Sequence, residues 1–536
     1  MSREMSFMGG TFCSFCDVFL CVVRRFCNLA HSDGISTRKL PIRNYTALFF
    51  DNGSTSRTTI GTILIVVGKE LAALGSRAWG RVRPIGSLAL LLFWLAGAAA
   101  SAADVKQVVL VSVDGLAASY LDDPKADLPT LRKLRKLGAS ADGMVTSFPS
   151  VTWPSHTSLI TGVRPKTHGV LDNTVYDRRS RQSVVYIGDP ALTKDQTVRV
   201  QTLYDAAHAA GLKTAAVIWP ATNGASTLDW MIPDAARAEL HQRYTTPGLV
   251  AELGAAGIDI SQLGTWGWQK QYALRRDRLY AQAAAHLIEK KQVNLLLVHL
   301  VSADGIQHVF GPQTVAAYQA VAFEDRCVKE IWEAIQRSPL AAESALFVVS
   351  DHGFAPYDKL IRPNVILKRL GLVETDKSGN VTRRDAWSVT AGGSAFVYLF
   401  GKQAQARSAE IRAELKKLDA VQGVLEPAEF AKLGLPRPEE NPEMAQLVLT
   451  TRPGFAFDDA TVGEPISDAG GHKGCHGHRP EPRFMHATFV AWGAGIRAGA
   501  RIKTIENIDV APTIARLLHV RLPGAEGRAV DEVLSP

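Results

Sequence analysis

The sequence predicts a doubly wound α/β fold, a mainly parallel sheet flanked by helices, with a small inserted α+β cap. Three observations carry that expectation. Unbroken apolar runs recur along residues 104–536, segments of helical spacing alternate with them, and several of the runs stop at Asp or His residues. A parallel strand is covered on both faces and so reads as continuous apolar sequence, whereas a half-solvated strand alternates.

The first run, Gln107–Val113 (QVVLVSV), stops at Asp114-Gly115, and residues 128–138 follow with helical spacing. A helical segment at 202–210 precedes the run 214–218, and another at 279–290 precedes 293–300. The runs 345–349 and 487–492 complete the set, the last preceded by a Gly/His-rich loop at 470–478. Two stretches interrupt the alternation. Residues 221–275, with Trp230, Tyr244, Trp266 and Trp268, are expected to form a loop or cap over the site. Residues 356–470, with a strand-like 394–400, a helical 404–417 and a Pro-rich stretch, are expected to form the small inserted α+β subdomain.

Composition bounds what surrounds this domain. Of 536 residues, 46% are apolar and 21% charged, a globular balance that excludes disordered, collagen-like and coiled-coil chains. The net charge of +8 belongs mostly to residues 1–103, where eleven Lys/Arg face five Asp/Glu; the rest carries 49 against 47. No basic face is implied for the folded part, so binding to duplex nucleic acid is not expected. Four of the six cysteines lie in the first thirty residues, which excludes a disulfide framework for the domain.

Residues 77–103 read as a secretory signal: Arg77, Arg81 and Arg83, an apolar run over 85–100, then Ala100-Ser101-Ala102 as cleavage site. The rival is a signal anchor, for which the run is short, because a membrane span needs roughly 20 residues. Residues 1–76 are expected to be a start placed too far upstream or a disordered extension. The domain 104–536 would then be periplasmic or secreted, with a membrane anchor only if the signal stays uncleaved.

Ligands of open parallel sheets bind beyond the carboxyl ends of the strands. There this sequence places Asp114, Asp304, His308, Asp351 and His352, with His476 in the Gly/His-rich loop. Carboxylate oxygen with imidazole nitrogen is a ligand set for Zn²⁺ or a similar divalent ion. Six such groups are too many for one tetrahedral ion with an open position and suit two ions, as in phosphoryl-transfer sites. Residues 148–162 read FPSVTWPSHTSLITG, which puts Thr152 where a loop enters a helix, with Pro154 favouring the first turn. A hydroxyl there feels the positive end of the helix dipole and is a candidate nucleophile. Each piece also has an ordinary reading: Asp114-Gly115 as a plain turn, Asp304 and His308 as a polar helix face, Thr152 as an N-cap.

Taken together, VSVDG (111–115), FPSVTWPSHTSLITGVRPKTHGV (148–170), LYDAAHAAGLKTAAVIWP (203–220), VHLVSADGIQHVFGP (298–312), VVSDHGF (348–354), CHGHRP (475–480) and IDVAPTIARLL (508–518) resemble the nucleotide pyrophosphatase/phosphodiesterase branch of the alkaline phosphatase superfamily, over about 107–520. The resemblance implies a metal-dependent phosphodiesterase/nucleotide pyrophosphatase acting through a phosphothreonine intermediate on two divalent metal ions, zinc foremost. It implies that Asp114, Asp351, His352 and the Thr152 oxygen hold one zinc, and Asp304, His308 and His476 the other. Thr152 is then the nucleophile, and Asn173 lies near a phosphate oxygen. A phosphomonoesterase and a catalytically silent secreted binding protein are the alternatives.

Around these residues the sequence offers several choices. His472 competes with His476, but the His-Gly pair of the family is His476-Gly477. His156 and His168 read as supports of the helix and loop, Cys475 as a small buried thiol. Trp153 either stacks on a leaving-group base or packs in the core. His478 stands where nucleotide-hydrolysing relatives often carry a Tyr.

Overall fold

In the computed structural model the described residues are 104–177, 182–188 and 192–536. The extension 1–76, with its four cysteines, and the segment 77–103 lie outside them. Eight strands form the central sheet: β1 (Gln107–Val113), β2 (Ala139–Val145), β3 (Thr214–Val217), β4 (Trp230–Ile232), β5 (Leu295–Leu300), β6 (Ser344–Val349), β7 (Phe489–Gly493) and β8 (Ala500–Glu506). Their order is β8-β2-β7-β6-β1-β5-β3-β4. Strands β6, β1, β5, β3 and β4 run parallel, and β7 is antiparallel to both β6 and β2.

Both faces of the central strands β1, β5 and β6 are covered, which is why they read as continuous apolar runs. Val109, Val111 and Val113 of β1 point into one core, against α4 (Ala273–His286) and α6 (Val315–Arg337), through Tyr280, Ala281, Val321 and Val328. Val108 and Leu110 point the other way, against α2 (Thr152–Thr161), α3 (Leu203–Ala209) and α7 (Val510–Leu517), through Leu159, Ile160, Leu203, Val510 and Ile514. Each such side chain contributes roughly 1.5–3 kcal/mol by leaving water. The remaining helices used below are α1 (Pro129–Leu137) and α5 (Ser302–Phe310).

The structure departs from the sequence expectations in three places. Residues 221–275 include β4, which is the eighth strand of the main sheet, so this stretch is not wholly loop or cap. The helix expected over 404–417 is two helices, Gly401–Ala406 and Ser408–Lys416, divided at Arg407, whose guanidinium holds Glu410 and the Leu370 carbonyl. Part of the Gly/His-rich loop is strand: Ile466–Cys475 pairs antiparallel with Ala355–Ile361, with a register shift between Asp468 and Lys473.

The 356–470 stretch contains a four-stranded antiparallel sheet in the order Ala386–Ala391, Ser394–Leu399, Leu447–Thr451, Val421–Leu425. Alternation along Ser394–Leu399 sends Phe396 and Tyr398 toward one apolar cluster and Ala395, Val397 and Leu399 toward another. The strand ending at Cys475 matters most for the site. Its Cys475 pairs with Ala355, so His476 is delivered beside the loop that carries Asp351 and His352.

Candidate active site and metal centre

Three adjacent central strands aim the predicted ligands at one point. The register Ser112 to His299 and Ser112 to Val349 aligns β1 with both neighbours. Asp114 therefore emerges between the start of α5, which carries Asp304 and His308, and the turn bearing Asp351 and His352. Gly115 makes the exit from β1 with φ +70°, and a Cβ there would lie 2.6 Å from the Phe354 ring. Its N–H donates to Asp351 Oδ1 at 3.1 Å. Gly477 does the same service after His476: at φ +84°, a Cβ would meet the Ala391 carbonyl at 1.7 Å.

The six ligand-type residues come together in two overlapping groups. In the first, His352 Nε2 lies 3.4 Å from Asp114 Oδ1 and 3.2 Å from Asp351 Oδ2. In the second, His308 Nε2 is 3.3 Å from Asp304 Oδ1 and 3.1 Å from His476 Nε2, and His476 Nε2 is 3.5 Å from Asp304 Oδ1. The His352 and His476 rings stack at 3.9 Å and join the groups. Asp351 and His352 are fully buried, Asp114 and His476 nearly so.

The hydrogen-bond pattern decides which atoms are left over. His352 Nδ1 faces the Gly353 carbonyl at 3.2 Å and His308 Nδ1 the Gly474 carbonyl at 3.1 Å, so each Nδ1 carries a proton and each Nε2 is the ring atom turned toward the cluster. Asp114 Oδ1, Asp351 Oδ2, Asp304 Oδ1 and His352 Nε2 are buried without a hydrogen-bond partner. Buried polar atoms are ordinarily satisfied, because an unsatisfied one costs about 1–3 kcal/mol. Four such atoms, all acceptors and all converging, fit divalent cations.

Electrostatics point the same way. Burial first, then the neighbouring Asp351 charge, pushes the Asp114 carboxyl well above its ordinary range. Burial opposes the opposite shift at Asp304, which the imidazoles of His308 and His476 hold below the usual carboxylate range. Burial, reinforced by His352 and His308, drives the His476 imidazole far below its usual range, so it is a neutral donor.

Thr152 is the first residue of α2, one position past the N-cap Val151, and no side-chain capping bond forms there. The plain N-cap reading of Thr152 is therefore corrected. Its carbonyl accepts from His156 Nδ1 at 2.8 Å. Asn173 sits beside it: Asn173 Oδ1 accepts the Trp153 N–H at 2.8 Å, which fixes the orientation of the amide. Trp153 is buried, stacked on Tyr186 at 5.5 Å, with Nε1 donating to Asp234, so it packs in the core. His168 is buried on Ser158, His472 is exposed, and Cys475 is a buried thiol.

Two histidines form an outer layer: His156, read from the sequence as a support of the helix, and His299, which sequence reasoning did not assign. His299, at the end of β5, places Nε2 3.0 Å from Asp114 Oδ2 and Nδ1 3.2 Å from the Ile218 carbonyl. It occupies one oxygen of Asp114 and leaves the other for the cluster. His156 lies 3.6 Å from Asp351 Oδ2. The signal for His299 was that it is the lone polar residue inside an otherwise apolar run, one position before the strand ends.

A family model, type I phosphodiesterase/nucleotide pyrophosphatase, matches residues 108–478. The chain belongs to this family. Human ectonucleotide pyrophosphatase/phosphodiesterase family member 7 is 24% identical over 421 residues, 77% of this chain and 80% of that protein. Mouse family member 3 is 32% identical over 124 residues, 22% of this chain. The match spans only 14% of that relative's length. In structure the chain is similar to murine ectonucleotide pyrophosphatase/phosphodiesterase 5, with a TM-score of 0.58, 18% identity, and coverage of 80% of this chain and 100% of the other. That murine protein is also known as an inactive form in complex with AMP.

Two buried acids near Thr152 and Trp153 make a stability prediction. Burial pushes Asp172 up to about 8, against the Asn173 N–H bond, and Asp234 up to about 7, against the Trp153 bond. The fold thus holds protons that the unfolded chain releases near pH 4, and this contribution to stability is lost as pH rises toward 8. Asp172→Asn is expected to flatten the fall of unfolding free energy between pH 5 and 7.5 by about 1.4 kcal/mol per pH unit, one proton's worth. Urea titrations at both pH values check this; an unchanged slope would show that Asp172 ionises normally in the fold.

Proposed function

We propose that this chain is a phosphodiesterase/nucleotide pyrophosphatase that hydrolyses phosphodiester or phosphoanhydride bonds through a phosphothreonine at Thr152, with two divalent ions, zinc foremost. The observation that carries the reading is the set of converging, buried, unpartnered acceptor atoms on Asp114, Asp304, Asp351 and His352. Asp114, Asp351, His352 and the Thr152 oxygen would hold one ion, and Asp304, His308 and His476 the other. Family membership and the AMP complex of the murine relative support a small nucleotide as substrate.

When bound, such ions supply Lewis-acid charge that lowers the pKa of a hydroxyl or water and stabilises a leaving oxygen. The chain's own groups do the rest. Thr152, at the positive end of α2, aligns its hydroxyl oxygen for attack on phosphorus; the P–O bond to the leaving group breaks as the Thr–O–P bond forms. Asn173, its carbonyl engaged by Trp153, turns its amide donors toward a phosphate oxygen. Water then attacks the phosphothreonine, releasing phosphate product and restoring the hydroxyl. His299 holds Asp114 in orientation throughout.

Export is part of the proposal: the 77–103 segment reads as a signal, and the relatives carry the prefix "ecto" in their names. Among the described residues, no helix is long and apolar enough to cross a membrane. The turnover ratio of bis-p-nitrophenyl phosphate to p-nitrophenyl phosphate tests the substrate class. The diester is expected to be the better substrate; preference for the monoester would move the function to phosphatase chemistry on the same site.

A further inference from the structure

Beneath the loop that opens α5 lies a group of buried acids which the mechanism above does not use. Asp277 of α4 is fully buried, and its Oδ2 accepts the backbone N–H groups of Val301 at 2.9 Å and Ser302 at 2.6 Å. Glu324 of α6, equally buried, accepts the Ser302 hydroxyl. The remaining oxygens, Asp277 Oδ1 and Glu324 Oε2, receive no donor from any neighbour. The two carboxyls meet at Ser302, Asp277 on its backbone N–H and Glu324 on its hydroxyl. Two buried carboxyl groups converging on one residue do not both ionise, so one of them keeps its proton.

Arg276, beside Asp277, is spent elsewhere: its guanidinium donates to the carbonyls of Gly267 and Gln269 and lies over the Trp268 ring. The pair is thus not an ion pair but an acid pair. Asp277, which takes the two backbone donors at a helix start, is the member that holds the negative charge. Glu324 is the member that holds the proton, and burial raises its carboxyl well above the usual range.

What this pair touches gives it a role. Ser302 begins α5, Asp304 follows two residues on, and His308 one turn later. We propose that the Asp277–Glu324 acid pair positions α5 so that Asp304 and His308 meet His476, and thereby sets the affinity for one of the two metal ions. This rests on the two-ion reading above. Asp277 and Glu324 are positioning residues: they reach the metal ligands only through the backbone and Ser302.

Isosteric variants separate a charge requirement from a packing requirement. Gln at position 324 keeps an acceptor for Ser302 and a donor toward Asp277. Asn at position 277 keeps the shape but removes the charge at the helix start and faces Glu324 with a donor. The experiment is a titration of metal-free protein with Zn²⁺ against a competing chelator. Wild type is expected to take up two ions, and Glu324→Gln to bind both as wild type does. Asp277→Asn is expected to lose roughly 10–100-fold in affinity for one ion and none for the other.

Equal affinities in Asp277→Asn and wild type would overturn the proposal, as would an equal loss in Glu324→Gln. If Asp277→Asn does not fold, Ser302→Ala, which detaches Glu324 from α5, must weaken one ion only; unchanged binding there overturns the proposal too. Wild type that takes up fewer than two ions would instead overturn the functional reading itself.

Discussion

Thr152→Ala is expected to lower turnover of a phosphodiester at least a thousandfold while leaving the fold and the carboxylate and imidazole groups of both ion sites in place. The magnitude follows from what is removed. A lost nucleophile costs up to about 10⁶ in kcat where no other group substitutes, and the residual rate comes from binding and electrostatics alone. Thr152 is buried at the start of α2, and the substitution deletes one methyl and one hydroxyl. Neither group bears a capping bond, so the loss of stability should stay near the ordinary 1 kcal/mol of a point substitution. Thr152→Ser restores an oxygen at the same backbone position and is expected to recover part of the rate. Near-normal turnover by purified Thr152→Ala would mean that a different group attacks phosphorus.

Asp351→Asn is expected to act in opposite directions on the metal-free and the zinc-loaded protein. In the metal-free fold, Asp114 and Asp351 share a buried space, and the Asp351 charge adds to burial in pushing Asp114 up. Removing that charge relieves a like-charge contact, so the metal-free variant should melt slightly above metal-free wild type, as about 1 kcal/mol shifts a domain of this length by about 1 °C. With zinc present the order reverses. On the two-ion reading the lost carboxylate is a ligand, so the variant gives up the stabilisation that metal binding brings, and turnover falls by at least a hundredfold. Melting curves with and without a chelator test both signs in one experiment. A variant less stable than wild type in both states would show that Asp351 is a structural acid rather than a ligand.

How much of this was legible in the sequence depended on burial. Gln107–Val113, Leu295–Leu300 and Ser344–Val349 are covered on both sheet faces, and their apolar runs announced them to within two residues. Asp114, Asp304, Asp351 and His352 could be grouped because the ends of parallel strands share one edge. The short edge strand Trp230–Ile232 was hidden because three residues carry no period. The strand Ile466–Cys475 was hidden by Gly470 and Gly471, both at positive φ, which sit inside the register shift of an irregular pairing. Helix 404–417 looked continuous because its apolar spacing runs through Arg407, and only tertiary contacts reveal the break. Asp277 and Glu324 had no sequence signal at all, since their meeting depends on the packing of α4 against α6 under α5.

Reconstitution with metal addresses the central claim most directly. Metal-free protein beginning at Asp104 would be titrated with Zn²⁺ while turnover of bis-p-nitrophenyl phosphate is followed. The two-ion reading predicts negligible turnover at the start and a rise that levels off at two zinc ions per chain. Full turnover before zinc is added, or a plateau reached without zinc uptake, would contradict it.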